Sequence, residues 1–258
     1  MGQRQRLELD LRGRVAVITG GSRGLGAAIA RAFAAHGADV VIASRKGDAC
    51  DALAAEIREQ TGQRALGIAC HVGRWSDCDA LADTAYAEFG RVDVLVNNAG
   101  MSPLYPAIDQ VSEELFDKVI GVNLKGPFRL AARIGARMKQ SGRGSIINVS
   151  SIAAVQPSPI EVPYAAAKAG LNNLTIALAR VLGPEVRVNC IMPGPFLTDI
   201  SKAWDLEAFE RMKHNIPLRR GGEPDEVVGA ALYLASDASS YTTGAVIKID
   251  GGAAHAPA

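Results

Sequence analysis

The sequence predicts an α/β fold: one doubly wound domain, a parallel seven-stranded sheet with helices on both faces. Three observations lead there. Short runs rich in Val, Ile, Leu and Ala alternate along the chain with stretches of helical period. The runs are apolar almost throughout, as strands covered on both faces require. A glycine-rich turn joins the first strand to the first helix.

After a polar tail (1–9), RVAVITG (14–20) is the first strand. LGAAIARAFAAHG (25–37) is a helix, closed by Gly37. ADVVIASR (38–45) is a strand and ACDALAAEIREQTG (49–62) a helix. RALGIACHV (64–72) is a strand, and SDCDALADTAYAEFG (76–90) a helix that Ser76 is placed to cap. VDVLVNNAG (92–100) is the fourth strand, followed by a helix near 112–138 and a strand at 144–150. A helix at 163–182, a strand at 186–194, a helix near 223–236 and a strand at 245–250 complete the alternation. No linker or repeat interrupts it, so 10–252 reads as one domain with a short tail, 253–258. The segment 195–215 starts with Pro195, mixes Trp204 and Phe209 with charges, and reads as a mobile lid.

Composition narrows the function. Net charge is +1 with no basic stripe, and aromatics are 5%, which argues against nucleic acid and anionic membrane as partners. Cys50, Cys70, Cys78 and Cys190 form no CxxC, and CHVGRWSDC lacks zinc-ligand spacing, so no metal is expected. The charged N-terminus has no apolar core of a signal peptide, and no apolar run could span a bilayer. A cytoplasmic protein is the expectation.

The first βα turn, TGGSRGLG, places Gly20, Gly24 and Gly26 where a backbone must turn sharply and approach a phosphate. Ser22, Arg23 and Leu25 lie between them and share the expected contact. The required context is present: a strand before, a helix after, a second strand about 20 residues on. No G-K-[ST] follows, which excludes an ATPase P-loop. In dinucleotide folds an acidic residue at the end of the second strand holds the ribose 2′-OH. Here that position reads Ser44-Arg45-Lys46. A hydroxyl and cations there suit a 2′-phosphate, with Arg23 as a further cation, so NADP(H) is expected over NAD(H).

PYAAAKAGLNNL (163–174) puts Tyr164 and Lys168 one helical turn apart, on one face. Reduction of a ketone needs a proton donor and a polarising group. A free tyrosine titrates near ~10, and a nearby ammonium would lower it.

Thr19-Gly-x-x-x-Gly24-x-Gly26, Asn97-Asn98-Ala99-Gly100, Ser151 and Tyr164-x-x-x-Lys168 together resemble the short-chain dehydrogenase/reductase family, in order and over about residues 10–252. Within the family the resemblance is to 3-oxoacyl-carrier-protein reductases and gluconate 5-dehydrogenases. It implies a Rossmann-like domain and an oxidoreductase of CH–OH and C=O groups. Tyr164 would be the general acid or base, Lys168 would also hold the nicotinamide ribose, and Ser151 would bind the substrate oxygen. Asn123 would hold a water near the lysine. Asn98, Ala99 and Gly100 would line the adenosine ribose, while Asn97 ties strands together. Pro193, Gly194 and Thr198 would face the nicotinamide. His71 stands where the family often has an aspartate toward the adenine, and the backbone of Val72 would help it.

The resemblance leaves three substrates open: a 3-oxoacyl thioester, a keto-sugar acid and a small carbonyl. Arg133, Arg137, Lys139 and Arg143 could dock an acidic carrier protein, although Glu185 sits where carrier-binding relatives tend to be basic. Glu161 is either a handle for a hydroxylated substrate or a solvated loop residue. The alternative class is a dinucleotide-binding sensor or scaffold without turnover, but such proteins usually lose the tyrosine or lysine. The family habit and the small-residue faces of helices 112–138 and 163–182 imply a homotetramer.

Overall fold

The computed structural model describes residues 9–198, 201 and 206–255. Seven strands form one sheet: β1 (Val15–Thr19), β2 (Asp39–Ser44), β3 (Ala65–Ala69), β4 (Val94–Asn97), β5 (Gly144–Val149), β6 (Val186–Pro193) and β7 (Val246–Ile249). Every pairing is parallel, in the order β3-β2-β1-β4-β5-β6-β7. The helices are α1 (Gly24–Ala35), α2 (Gly47–Thr61), α3 (Trp75–Phe89), α4 (Glu113–Ile120), α5 (Gly126–Gln140), α6 (Val162–Leu182), α7 (Leu206–Lys213) and α8 (Val228–Ala235).

The alternation of side chains along each strand feeds two cores. Ala16 and Ile18 of β1 pack with Ile29 and Phe33 of α1, Leu53 and Ile57 of α2, and Leu232 of α8. Val17 points the other way, toward Leu81 of α3, Leu130 and Met138 of α5, and Leu178 of α6. Burial on both faces explains why the strand sequences carry so few polar residues. The chain winds outward from β1 in one direction and from β4 in the other. A crevice therefore opens between the carboxyl ends of these two strands, where ligands of such sheets bind.

Three elements differ from expectation. The helix expected near 112–138 is broken: Gly121–Lys125 forms a π turn between α4 and α5. Pro127 has no N–H to offer the carbonyl of Asn123, and the Gly126 N–H bonds instead to Gly121 O. Gly126 also packs directly on Val72 O, with no room for a side chain. Ser76 does not cap α3: the N-cap is Arg74, and the Ser76 hydroxyl turns to Asp77 Oδ1 at 3.3 Å. Asp77 Oδ2 accepts from the His71 N–H at 3.0 Å, which draws the helix start forward. Within the expected lid, α7 forms and Phe196 bridges to Gly222. Trp204 lies outside the described residues.

Candidate active site

At the end of β1 the chain turns through Gly20, with φ of +61°, and enters α1 at Gly24, with φ of +54°. A Cβ on Gly20 would lie 2.8 Å from Ala99 Cα, so only glycine lets this turn pass the β4 end. Two polar side chains lock the turns together. Thr19 Oγ1 accepts from the N–H groups of Asn98 and Ala99 at 3.0 and 3.1 Å. The Asn98 amide donates to Thr19 O and Gly20 O at 3.0 and 3.1 Å. The N-terminus of α1 thus faces an open crevice with a rigid floor.

That crevice is a cleft of about 720 Å³ running from the end of β2 to the start of α6. Of the catalytic and cofactor positions expected from sequence, all but Gly26 and Asn123 line it, and Glu161 stands just outside its lining. Gly26 sits behind the turn, where a Cβ would collide with Gly20 O and the Asn98 amide, so its part is close packing. Ala49, Cys70, Met101, Val122, Val149 and Ser150 also line the cleft and carried no sequence signal beyond their neighbours. At the β2 end stand Arg23, Arg45 and Lys46, none with a side-chain partner among the described residues, and no carboxylate lines the cleft there. Ser44 Oγ lies 3.0 Å from Cys50 Sγ and accepts from the Lys46 N–H at 3.4 Å. His71 also lines this end, and its Nδ1 accepts from the Gly73 N–H at 3.2 Å.

The residues fit a phosphorylated dinucleotide. The cleft is long, its first turn leaves no room for side chains, and its rim carries unpaired cations.

At the other end, α6 presents Tyr164 and Lys168 on one face, with the lysine ammonium 5.6 Å from the tyrosine ring centroid. Lys168 is 3% exposed, and its Nζ donates to Val149 O at 2.7 Å. Burial of the ammonium lowers its pKa to about 8. Tyr164 is pushed up to about 12, because burial penalises the phenolate. A hydrogen bond with Ser151 pulls the other way, and the nearby Glu161 charge adds to the rise. This corrects the expectation that Lys168 brings Tyr164 below its ordinary value: the ammonium donates to the Val149 carbonyl, and burial raises the phenol. Ser151 Oγ also accepts from the Ala153 N–H at 3.1 Å, which fixes the hydroxyl beside Tyr164.

Asn123 sits in the π turn, fully buried. Its Nδ2 donates to Met101 O at 2.8 Å and Val119 O at 2.9 Å, and its Oδ1 accepts from the Met101 N–H at 3.2 Å. It fastens the loop after β4 beside Lys168: a Cβ on Gly100 would lie 3.1 Å from Asn123 Oδ1 and 3.6 Å from Lys168 Nζ. Asn97 ties β4 to β5 as expected, through Asn148 Oδ1 at 2.9 Å.

The basic residues read as a carrier-docking surface are paired within the chain. Arg133 meets Asp79 and Asp83, Arg137 meets Asp83, Lys139 meets Glu185, and Arg143 meets Asp93. Among the described residues no helix is long and apolar enough to cross a membrane.

A family model described as "Enoyl-(Acyl carrier protein) reductase" matches residues 20–254. The chain is 40% identical over 245 residues to "Dehydrogenase/reductase SDR family member 4" of Homo sapiens, covering 94% of this chain and 88% of that protein. It is 40% identical over 258 residues to D-threitol dehydrogenase of Mycolicibacterium smegmatis, covering 98% of each. The NADPH-dependent 3-quinuclidinone reductase of Rhodotorula rubra has the same fold, with a TM-score of 0.91 at 31% identity over 98% of this chain and 97% of that one.

Proposed function

This chain belongs to the short-chain dehydrogenase/reductase family and is an oxidoreductase of alcohol and carbonyl groups, and we propose that it uses NADP(H) to reduce a ketone to a secondary alcohol, or the reverse, with Tyr164 moving the proton. One observation carries the reading: a single cleft has Arg23, Arg45 and Lys46 at one end and Ser151, Tyr164 and Lys168 at the other. The cations suit a 2′-phosphate, and the hydroxyl groups suit a carbonyl oxygen that gains negative charge.

A bound nicotinamide supplies or accepts the hydride. The protein does the rest. Ser151 Oγ donates to the substrate oxygen and orients the carbonyl. Tyr164 Oη, protonated throughout the neutral range, gives its proton to that oxygen in reduction and takes it back in oxidation. The buried Lys168 ammonium stabilises the phenolate left behind. Asn123 holds the loop of Met101 against this group, so the floor of the site does not shift.

The preference for NADP(H) is tested by steady-state kinetics with both cofactors. Wild type is expected to favour NADPH. Arg45→Asp is expected to raise the KM for NADPH about tenfold or more and leave NADH little changed, because a charge-assisted contact is replaced by repulsion. Equal use of both cofactors by wild type would remove the 2′-phosphate from the account. The substrate is a small molecule, since the cations that could receive an acidic carrier are engaged by Asp79, Asp83, Asp93 and Glu185.

A further inference from the structure

We propose that Glu161 and Ser102 form a polar subsite at the substrate end of the cleft, which selects a neutral ketone bearing a hydroxyl group beside its carbonyl and rejects anionic keto acids. The inference rests on the ketone-reductase reading above and narrows its substrate.

Glu161 immediately precedes α6, three residues before Tyr164. A carboxylate at this position could cap the helix, yet the Glu161 side chain makes no cap bond. Its Oε2 instead accepts from the hydroxyl of Ser102, a residue that lines the cleft, at 3.5 Å. The carboxylate is close enough to Tyr164 for its charge to oppose the phenolate. Its other partner is the Ser158 N–H. A carboxylate has about four acceptor positions, so it retains room for a hydroxyl donor.

The two segments are tied together. The Tyr105 hydroxyl donates to Pro159 O at 2.9 Å and accepts from the Val162 N–H at 2.9 Å. This staple joins the loop that carries Ser102 to the segment that carries Glu161.

Met101 and Phe196 are apolar residues that line the same cleft. Among the described residues, Lys168 is the only cation lining this end, and its Nζ is held by Val149 O. The cations Arg23, Arg45 and Lys46 line one end of the cleft, and the Glu161 carboxylate stands beside Ser102 at the other. An anionic substrate placed at Tyr164 would meet an unpaired like charge in a part-desolvated site. A neutral hydroxyketone would give Glu161 a charge-assisted hydrogen bond, and could donate to or accept from Ser102 as well. Of the substrates left open by the sequence, the keto-sugar acid is the one this arrangement opposes.

The test compares kcat/KM with NADPH for erythrulose, butanone and 5-ketogluconate. Wild type is expected to favour erythrulose over each of the others by about tenfold or more. Glu161→Ala is expected to cut the erythrulose-to-butanone ratio about tenfold, mainly through KM, because a ground-state contact is lost. Glu161→Gln, which keeps shape and hydrogen bonding but not charge, is expected to raise the 5-ketogluconate-to-erythrulose ratio. Wild-type preference for 5-ketogluconate, or ratios unchanged in both variants, would overturn the subsite while leaving ketone reduction standing. No turnover of any of the three ketones with either cofactor would overturn the reductase reading, and the subsite with it.

Discussion

Lys168 is a cation that water hardly reaches. Its ammonium donates to the Val149 carbonyl, and burial lowers its pKa to about 8. The unfolded chain returns it to 10.5, so between pH 8 and 10.5 the unfolded state binds more protons. Stability then rises with pH across that window, and the full cost of the buried charge is felt below it. Lys168→Met removes the charge and keeps the volume. The stability of wild type relative to this variant is expected to increase by up to about 3 kcal/mol between pH 7.5 and 10. Urea midpoints at those two values check it, and a constant difference would mean the lysine is better solvated than the fold implies. Burial pushes Tyr164 up to about 12, so the unfolded chain loses this proton first and stability falls as pH climbs from 10 toward that value. The spacing of Tyr164 and Lys168 was legible in sequence; the direction of the tyrosine shift was not. Spacing places two side chains on one face, but desolvation and the Val149 carbonyl come from β5 and its neighbours, far away along the chain.

The glycine turn is the element on which the cofactor end depends. Its strand–turn–helix context could be read directly, because glycine at a βα turn has a steric meaning that no other residue supplies. The division of labour within it could not. Gly20 faces the cleft, whereas Gly26 packs behind it on Gly20 O and the Asn98 amide. Gly26→Ala would force that contact apart. It is expected to cost about 1–3 kcal/mol of stability and to weaken NADPH binding together, as read by thermal melts with and without the cofactor. Unchanged melting would mean that the turn and the β4 end have slack. The π turn and α7 were also hidden. Pro127 was visible in the sequence, but its effect depends on the close approach of Gly126 to Val72. Helix α7 is short, with an apolar pattern too brief to stand out among its charges.

Across the whole molecule, alternating strands and helices marked a parallel sheet, but not which strands are neighbours. The order that sets β1 beside β4 is what brings residues 20–26 and 98–100 to one crevice. The outer helices carry a further clue. Phe116 of α4, Phe128 of α5, and Ile176 and Val181 of α6 are all exposed large apolar side chains. We propose that this face is covered in a homotetramer, since such exposure on neighbouring helices favours association. Sedimentation equilibrium is expected to give four times the chain mass of 27.0 kDa. A monomer mass would contradict it.

In the proposed reaction Tyr164 passes the proton while the rest of the cleft binds the cofactor. Tyr164→Phe removes one hydroxyl and leaves the packing of α6 intact. The decisive measurement is the rate of NADPH oxidation with a ketone by this variant, alongside its dissociation constant for NADPH. We expect turnover to fall about 10²- to 10⁴-fold with the dissociation constant nearly unchanged. Turnover close to that of wild type would contradict the account and move the proton donor to another group.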